Sequence, residues 1–276
     1  MQRKKRKQVI PGFGISMGVT LAMLALIVLI PMASLAINAS QMGWSAFVET
    51  VTNKRVLSGY KVSFLCALIA SAVNAVFGVI LAWILVRYDF PCKRIVDGLI
   101  ELPFALPTAV AGIALTTLYS DQGMIGKWFA KWGIAISYTR IGITLAMIFI
   151  GIPFVVRTIQ PVLEGLDVQY EEAAGMLGAS RSKTFFRVIF PEIRPALLTG
   201  FGLAFARAVG EYGSVVFIAG NTPFKTEIAP LLIMSKLEQY DYSGANAIAL
   251  VMLVVSFLIL FVINSIQVHM NKFTKE

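Results

Sequence analysis

The sequence predicts an all-α membrane protein, a bundle of six transmembrane helices, on three observations. Of its 276 residues 57% are hydrophobic and only 14% charged, with a mean hydropathy of +0.77; a soluble chain carries about 25% charged residues. Apolar runs of roughly 20 residues, long enough to cross a hydrocarbon core about 30 Å thick, recur along the whole chain rather than once at its start. The basic residues behind the net charge of +9 sit mostly at the ends of those runs, where they orient a membrane protein. They form no basic face interleaved with aromatics, so nucleic acid is not an expected partner.

The runs place spans at residues 15–37, 62–86, 98–119, 141–156, 195–218 and 245–267. The run Arg3, Lys4, Lys5, Arg6, Lys7 puts the N-terminus in the cytoplasm. Counting spans from there puts Arg87, Lys93, Arg94, Arg181, Lys183, Arg187 and Arg194 on the same side, and both termini inside. Cys66 lies in an apolar run and Cys92 in a short basic loop, which suits neither a disulfide framework nor a metal site. His269, the lone histidine, reads as a solvated tail residue. No metal or catalytic residue is expected. A membrane-embedded enzyme is the competing class, but there is no His-Glu-x-x-His, no nucleophile elbow and no histidine in a span to act as base. A phosphate-binding loop is also missing from the sequence, so ATP chemistry would have to be a partner's.

The longest segment between spans falls between the fourth and fifth. Tyr170, Ala173, Ala174 and Leu177 share one face of a short helix there, while Glu171 and Glu172 stay wet. Gly178 can take the left-handed conformation that closes this helix, Ser180 can cap the next, and Pro191 is expected to break that second helix. Such a pair can lie on the bilayer or dock on a protein. Acidic residues beside the apolar face, which anionic lipid would repel, and small alanines, which let a backbone approach closely, favour a protein.

Glu172-Ala173-Ala174, then Gly178, then Val188-Ile189-Phe190-Pro191 resembles the EAA motif of ABC importer permeases, with conservative replacements in its last part. Glu101 through Gly112, Ile152-Pro153-Phe154-Val155-Val156-Arg157, Gly210-Glu211-Tyr212-Gly213 and Ile218-Ala219-Gly220-Asn221 are similar to the T-type permease of sulfate/thiosulfate importers. Tyr212, where that family often has Phe, is a mild departure. The resemblance implies the type I, MetI-like permease fold, with a basic N-terminus at 1–14, a first span and external loop at 15–61, a permease core at 62–267 that includes a coupling segment at 164–191, and a C-terminal tail at 268–276. It implies that Glu172, Ala173, Ala174, Gly178 and Pro191 serve contact with an ATPase subunit. The implied partners are a W-type permease, two ATP-binding subunits that use ATP and magnesium, and an extracytoplasmic sulfate-binding protein. The chain itself would bind no cofactor, and would sit in a cytoplasmic (inner) or plastid membrane. Molybdate is the alternative substrate, since permeases for both oxyanions share the fold and the motif.

Two features mark a pathway through the bundle. Pro103 and Pro107 lie one turn apart in the third run and lack backbone donors, which predicts a kink suited to packing or to a gate. In the fifth run Gly202, Ala206, Gly210 and Ser214 form one row of small residues and Gly200, Ala204 and Ala208 another. Arg207 and Glu211, four apart in that run, must face protein or water. They can neutralise each other within one helix, or Arg207 can attract a tetrahedral dianion through its paired donors while Glu211 limits how tightly it is held.

Overall fold

The computed structural model describes residues 13–273 and is helical throughout, its segments joined by short loops. The basic run from Arg3 to Lys7, on which part of the predicted orientation rests, lies outside the described residues. In chain order the helices are α1 (Phe13–Ser40), α2 (Trp44–Thr52), α3 (Lys54–Arg87), α4 (Lys93–Ile100), α5 (Leu102–Ala105), α6 (Thr108–Tyr119), α7 (Gly126–Ala130), α8 (Arg140–Gly165), α9 (Gln169–Met176), α10 (Arg181–Val209), α11 (Val215–Ile218), α12 (Ala229–Glu238) and α13 (Tyr242–Phe273).

Among the described residues, five helices are long and apolar enough to cross a membrane: α1, α3, α8, α10 and α13. The third predicted span, 98–119, is instead the series α4, α5 and α6. Proline chemistry explains the difference. Pro107 has no N–H and its ring pushes Leu106 into an extended conformation, φ −86° and ψ 135°, so the helix ends at Ala105 and restarts at Thr108. The fourth span runs on to Gly165, past the predicted end at 156 and through Pro153 and Pro161. α3 opens at Lys54, ahead of the predicted start at 62, because the Asn53 side chain accepts the Arg55 N–H and caps it. α13 continues to Phe273, so the predicted tail from 268 is helical through that residue.

α3, α8 and α10 form the centre of the bundle and share its most extensive contacts. Small residues bring their backbones together. A side chain at Gly78 would meet Val155 at 2.5 Å, and one at Gly200 would press on the Val155 Cα at 2.9 Å. Of the two small-residue rows on α10, the one that is buried throughout is Gly200, Ala204 and Ala208. α13 packs on α10 and α12, and the second half of α1 packs on α13. The outer faces of α1 and α13 leave Ile15, Leu26, Ile30, Phe257, Leu258 and Phe261 exposed, an arrangement stable only in an apolar solvent.

The bundle has two distinct ends. At one, α3 and α8 begin, and Arg55 grips the buried Glu227 through two hydrogen bonds of 2.8 and 2.6 Å. There Arg140 Nε donates to the Lys225 carbonyl at 2.7 Å, fixing the loop before α12. Lys236 and the Gly244 N–H hold the Asp241 carboxyl below the usual carboxylate range, so it caps α13 in charged form. At the other end, called the foot below, α3 finishes beside the α9–α10 pair.

Candidate functional site

Two places gather the residues that the sequence singles out. The first is in the upper half of the bundle, where the interruption of the third span meets one in the fifth. α10 ends at Val209 instead of the predicted 218, and the chain runs unwound from Gly210 to Ser214 before the short α11. Glu211 causes this locally. Its Oε1 accepts the Ser214 N–H at 2.8 Å and the Ser214 hydroxyl at 2.9 Å, capturing a donor that a continuing helix would use. Its Oε2 accepts from Arg207 Nη1 at 2.5 Å.

Arg207 and Glu211 therefore do pair, but not within one helix: Arg207 is in the last turn of α10 and Glu211 lies beyond its end. Their surroundings are unequal. Glu211 is 2% exposed, whereas the Arg207 side chain keeps 35% of its surface. The unwound segment packs on the start of α6. A side chain at Gly213 would collide with Thr108, and one at Gly112 with the Ser214 backbone. Pro107 is thus brought beside the fifth-span interruption, while Pro103 is buried in α5 one turn earlier. Because the obstacle at Gly112 is main chain and cannot rotate away, Gly112→Val is expected to lower stability by about 1–3 kcal/mol. Thermal unfolding of the detergent-solubilised protein checks this, with Gly98→Val, which meets open space, as the control.

The second place is the foot. Gly178 adopts φ +79°, with Ala179 N–H bonded to the Ala174 carbonyl at 3.0 Å, so the left-handed closure predicted for α9 is present. Ser180 caps α10 by accepting the Lys183 N–H, also as predicted. Pro191, in contrast, does not break the second helix, which runs unbroken from Arg181 to Val209. The reason is a widened turn at Phe185–Ile189, where the Phe190 N–H reaches back to the Phe185 carbonyl and makes room for the proline ring.

The face of α9 carrying Tyr170, Ala173 and Leu177 is exposed, with Ala174 partly covered, and it ends in Met176 and Leu177 at 89% and 88% exposure. Glu172 is exposed beside it. Glu171, predicted to be wet, is instead drawn inward to Arg87 at 2.8 Å. That contact joins helices far apart in sequence, and periodicity carried no sign of it. A second such contact is Arg157 on α8, which holds Asp97 at 2.7 Å and Glu101 at 2.8 Å and so fastens α4. Among the described residues no group of three or more His, Cys, Asp or Glu side chains is placed to hold a metal.

A bundle with interrupted inner helices and a protruding amphipathic pair at one end defines a membrane permease. Residues 74–276 match the family of binding-protein-dependent transport system inner membrane components, and the chain belongs to that family. It is 50% identical over 261 residues to the sulfate transport system permease protein CysT of Escherichia coli strain K12, covering 95% of this chain and 94% of that one. It is 51% identical over 249 residues to the CysT protein of Synechocystis, covering 90% of this chain and 87% of the relative. In fold it is similar to a bacterial alginate ABC transporter solved with its alginate-bound periplasmic protein, with a TM-score of 0.76, 16% identity, and 91% and 92% of the two chains covered. The MetNI methionine ABC transporter in inward-facing form gives a TM-score of 0.59 at 15% identity, over 78% of this chain and 95% of that one.

Proposed function

We propose that this chain is the membrane-crossing permease of an ATP-driven importer for sulfate or thiosulfate. The observation that carries this reading is the identity of about half of all residues with sulfate permeases along nearly the full length. The chain works in this proposal as one of two paired permeases, with a W-type partner, two ATP-binding subunits that hold ATP and magnesium, and an extracytoplasmic sulfate-binding protein. Both termini and the foot lie in the cytoplasm, and the Arg55–Glu227 end faces the binding protein.

The foot supports the division of labour. Glu172, Ala173, Ala174 and Gly178 shape a short helix whose exposed tip suits a cleft in an ATP-binding subunit, and Pro191 sits where that foot joins α10. Closure of the ATP-binding pair moves the foot and opens the bundle outward, and hydrolysis returns it inward. Pro107 interrupts the third span beside the break in the fifth, with Pro103 one turn earlier, so a gate there can open without unravelling a continuous helix. Arg207 stays partly exposed while Glu211 offsets its charge, which suits transient contact with a dianion in transit.

The test is labelled sulfate uptake in a strain lacking this chain. Restored expression should return uptake, and excess thiosulfate should suppress it while excess molybdate does not. Uptake suppressed by molybdate but indifferent to thiosulfate would overturn the substrate assignment.

A further inference from the structure

We propose that Arg87 and Glu171 form the link through which displacement of α9 moves α3, and with it the centre of the bundle. This rests on the reading of α9 as the helix that meets the ATP-binding subunit. By chain connection α9 is joined to α8 before it and to α10 after it, but not to α3. Direct packing between α9 and α3 is slight. A cavity of about 810 Å³ opens between them, walled by Trp83, Arg181, Phe185 and Phe186. Side-chain packing therefore carries little force across that gap.

Arg87, the last residue of α3, spans it. Its Nη2 lies 2.8 Å from Glu171 in the first turn of α9 and donates to the Leu166 carbonyl at 3.1 Å, just past the end of α8. Its guanidinium carbon stands 5.8 Å from the Trp83 ring centroid, which steadies the side chain from behind. One planar cation thus ties three helices together, with both charged side chains largely shielded from solvent at 14% and 23% exposure. The adjacent glutamates differ in their surroundings: Glu172 is exposed at the rim of the cavity, and Glu171 meets Arg87. Since α3 shares its largest contacts with α8 and α10, a pull on Arg87 reaches the helices that surround the interrupted spans.

The experiment uses the complete importer, reconstituted with its ATP-binding subunits and binding protein in proteoliposomes, and reads sulfate delivered per ATP hydrolysed. Arg87→Gln and Glu171→Gln should each lower that ratio about tenfold, and the double variant should fall no further, because the second change removes a partner already lost. Arg87→Lys, which keeps the charge but loses the planar fork that reaches Glu171 and Leu166 over Trp83, should fall between the unaltered importer and Arg87→Gln. Single variants with an unchanged ratio, or a double variant that loses the product of the two single losses, would overturn the link. Should Arg87→Gln fail to assemble, Glu171→Gln gives the same reading without altering α3. A crosslink from Ala173→Cys to the ATP-binding subunit, made in a Cys92→Ser background, separates the two levels of the proposal. An intact crosslink with an unchanged ratio removes the Arg87–Glu171 link alone, whereas no crosslink in the otherwise unaltered importer removes the reading of α9 itself.

Discussion

An importer carrying Glu172→Lys is expected to lose sulfate uptake by more than about thirtyfold, because in the proposed docking of α9 on an ATP-binding subunit it reverses a charge within the interface, which costs several kcal/mol. Glu172 stands exposed in the first turn of α9, where the partial positive charge of a helix N-terminus already favours a carboxylate. Ala173 beside it leaves room for a close approach, and Met176 and Leu177 offer apolar anchors at the tip. Lysine there opposes the helix dipole and meets any basic group that would have paired with the carboxylate. The measurement is co-purification of the ATP-binding subunits together with labelled uptake. Release of those subunits with the permease pair intact is the expected pattern. Glu49→Lys, an exposed charge reversal at the opposite end, serves as the control for co-purification of the ATP-binding subunits. Full uptake by the Glu172→Lys importer would remove α9 from the interface.

Glu211→Ala is expected to be the most damaging change within the bundle. The substitution strands two buried donors of Ser214, at about 1–3 kcal/mol for each donor left unsatisfied, and leaves the partly exposed Arg207 without its counter-ion. Arg207→Gln should cost less, because the two Ser214 donors and the new side-chain amide still serve the buried Glu211 carboxylate, although its counter-ion is gone. Glu211→Gln should fall between them, since an amide oxygen can still accept from Ser214 but no longer balances Arg207. Thermal unfolding of the purified complex orders the three variants. An Arg207→Gln protein as unstable as Glu211→Ala would show that the cation, not the carboxylate, holds the unwound segment in place.

Much of this architecture is legible in the sequence. Long apolar runs announce spans because lipid leaves no other way to satisfy a backbone, and α1, α3, α8, α10 and α13 follow from that alone. Gly178 and Ser180 were readable because a turn imposes its chemistry on one residue at a time. Pro107 signalled a disturbance in the third span but not its scale, which depends on how completely Leu106 leaves the helical region. Pro191 differs from expectation for a related reason: the ring forbids an ordinary turn, yet a wider one accommodates it, and there Phe185 packs against Trp83 and Phe190, which spacing does not reveal. Glu211 looked like a helix residue because spacing of four is helical, whereas its bond to Ser214 is decided three residues later. The contacts of Arg87 with Glu171 and of Arg157 with Asp97 and Glu101 left no periodic trace, being matters of tertiary approach.

The widened turn at Phe185–Ile189 has a mechanical outcome. By accommodating Pro191 it lets one helix extend from the foot to Val209, a beam of 29 residues and about 43 Å. A beam that long delivers a push at its base to its far tip with little shortening. Its far end gives way to the knuckle formed by Gly210 through Ser214, where Glu211 is mounted one turn beyond Arg207. The stroke of the foot and the setting of the two charges are thus fixed to a single connecting rod.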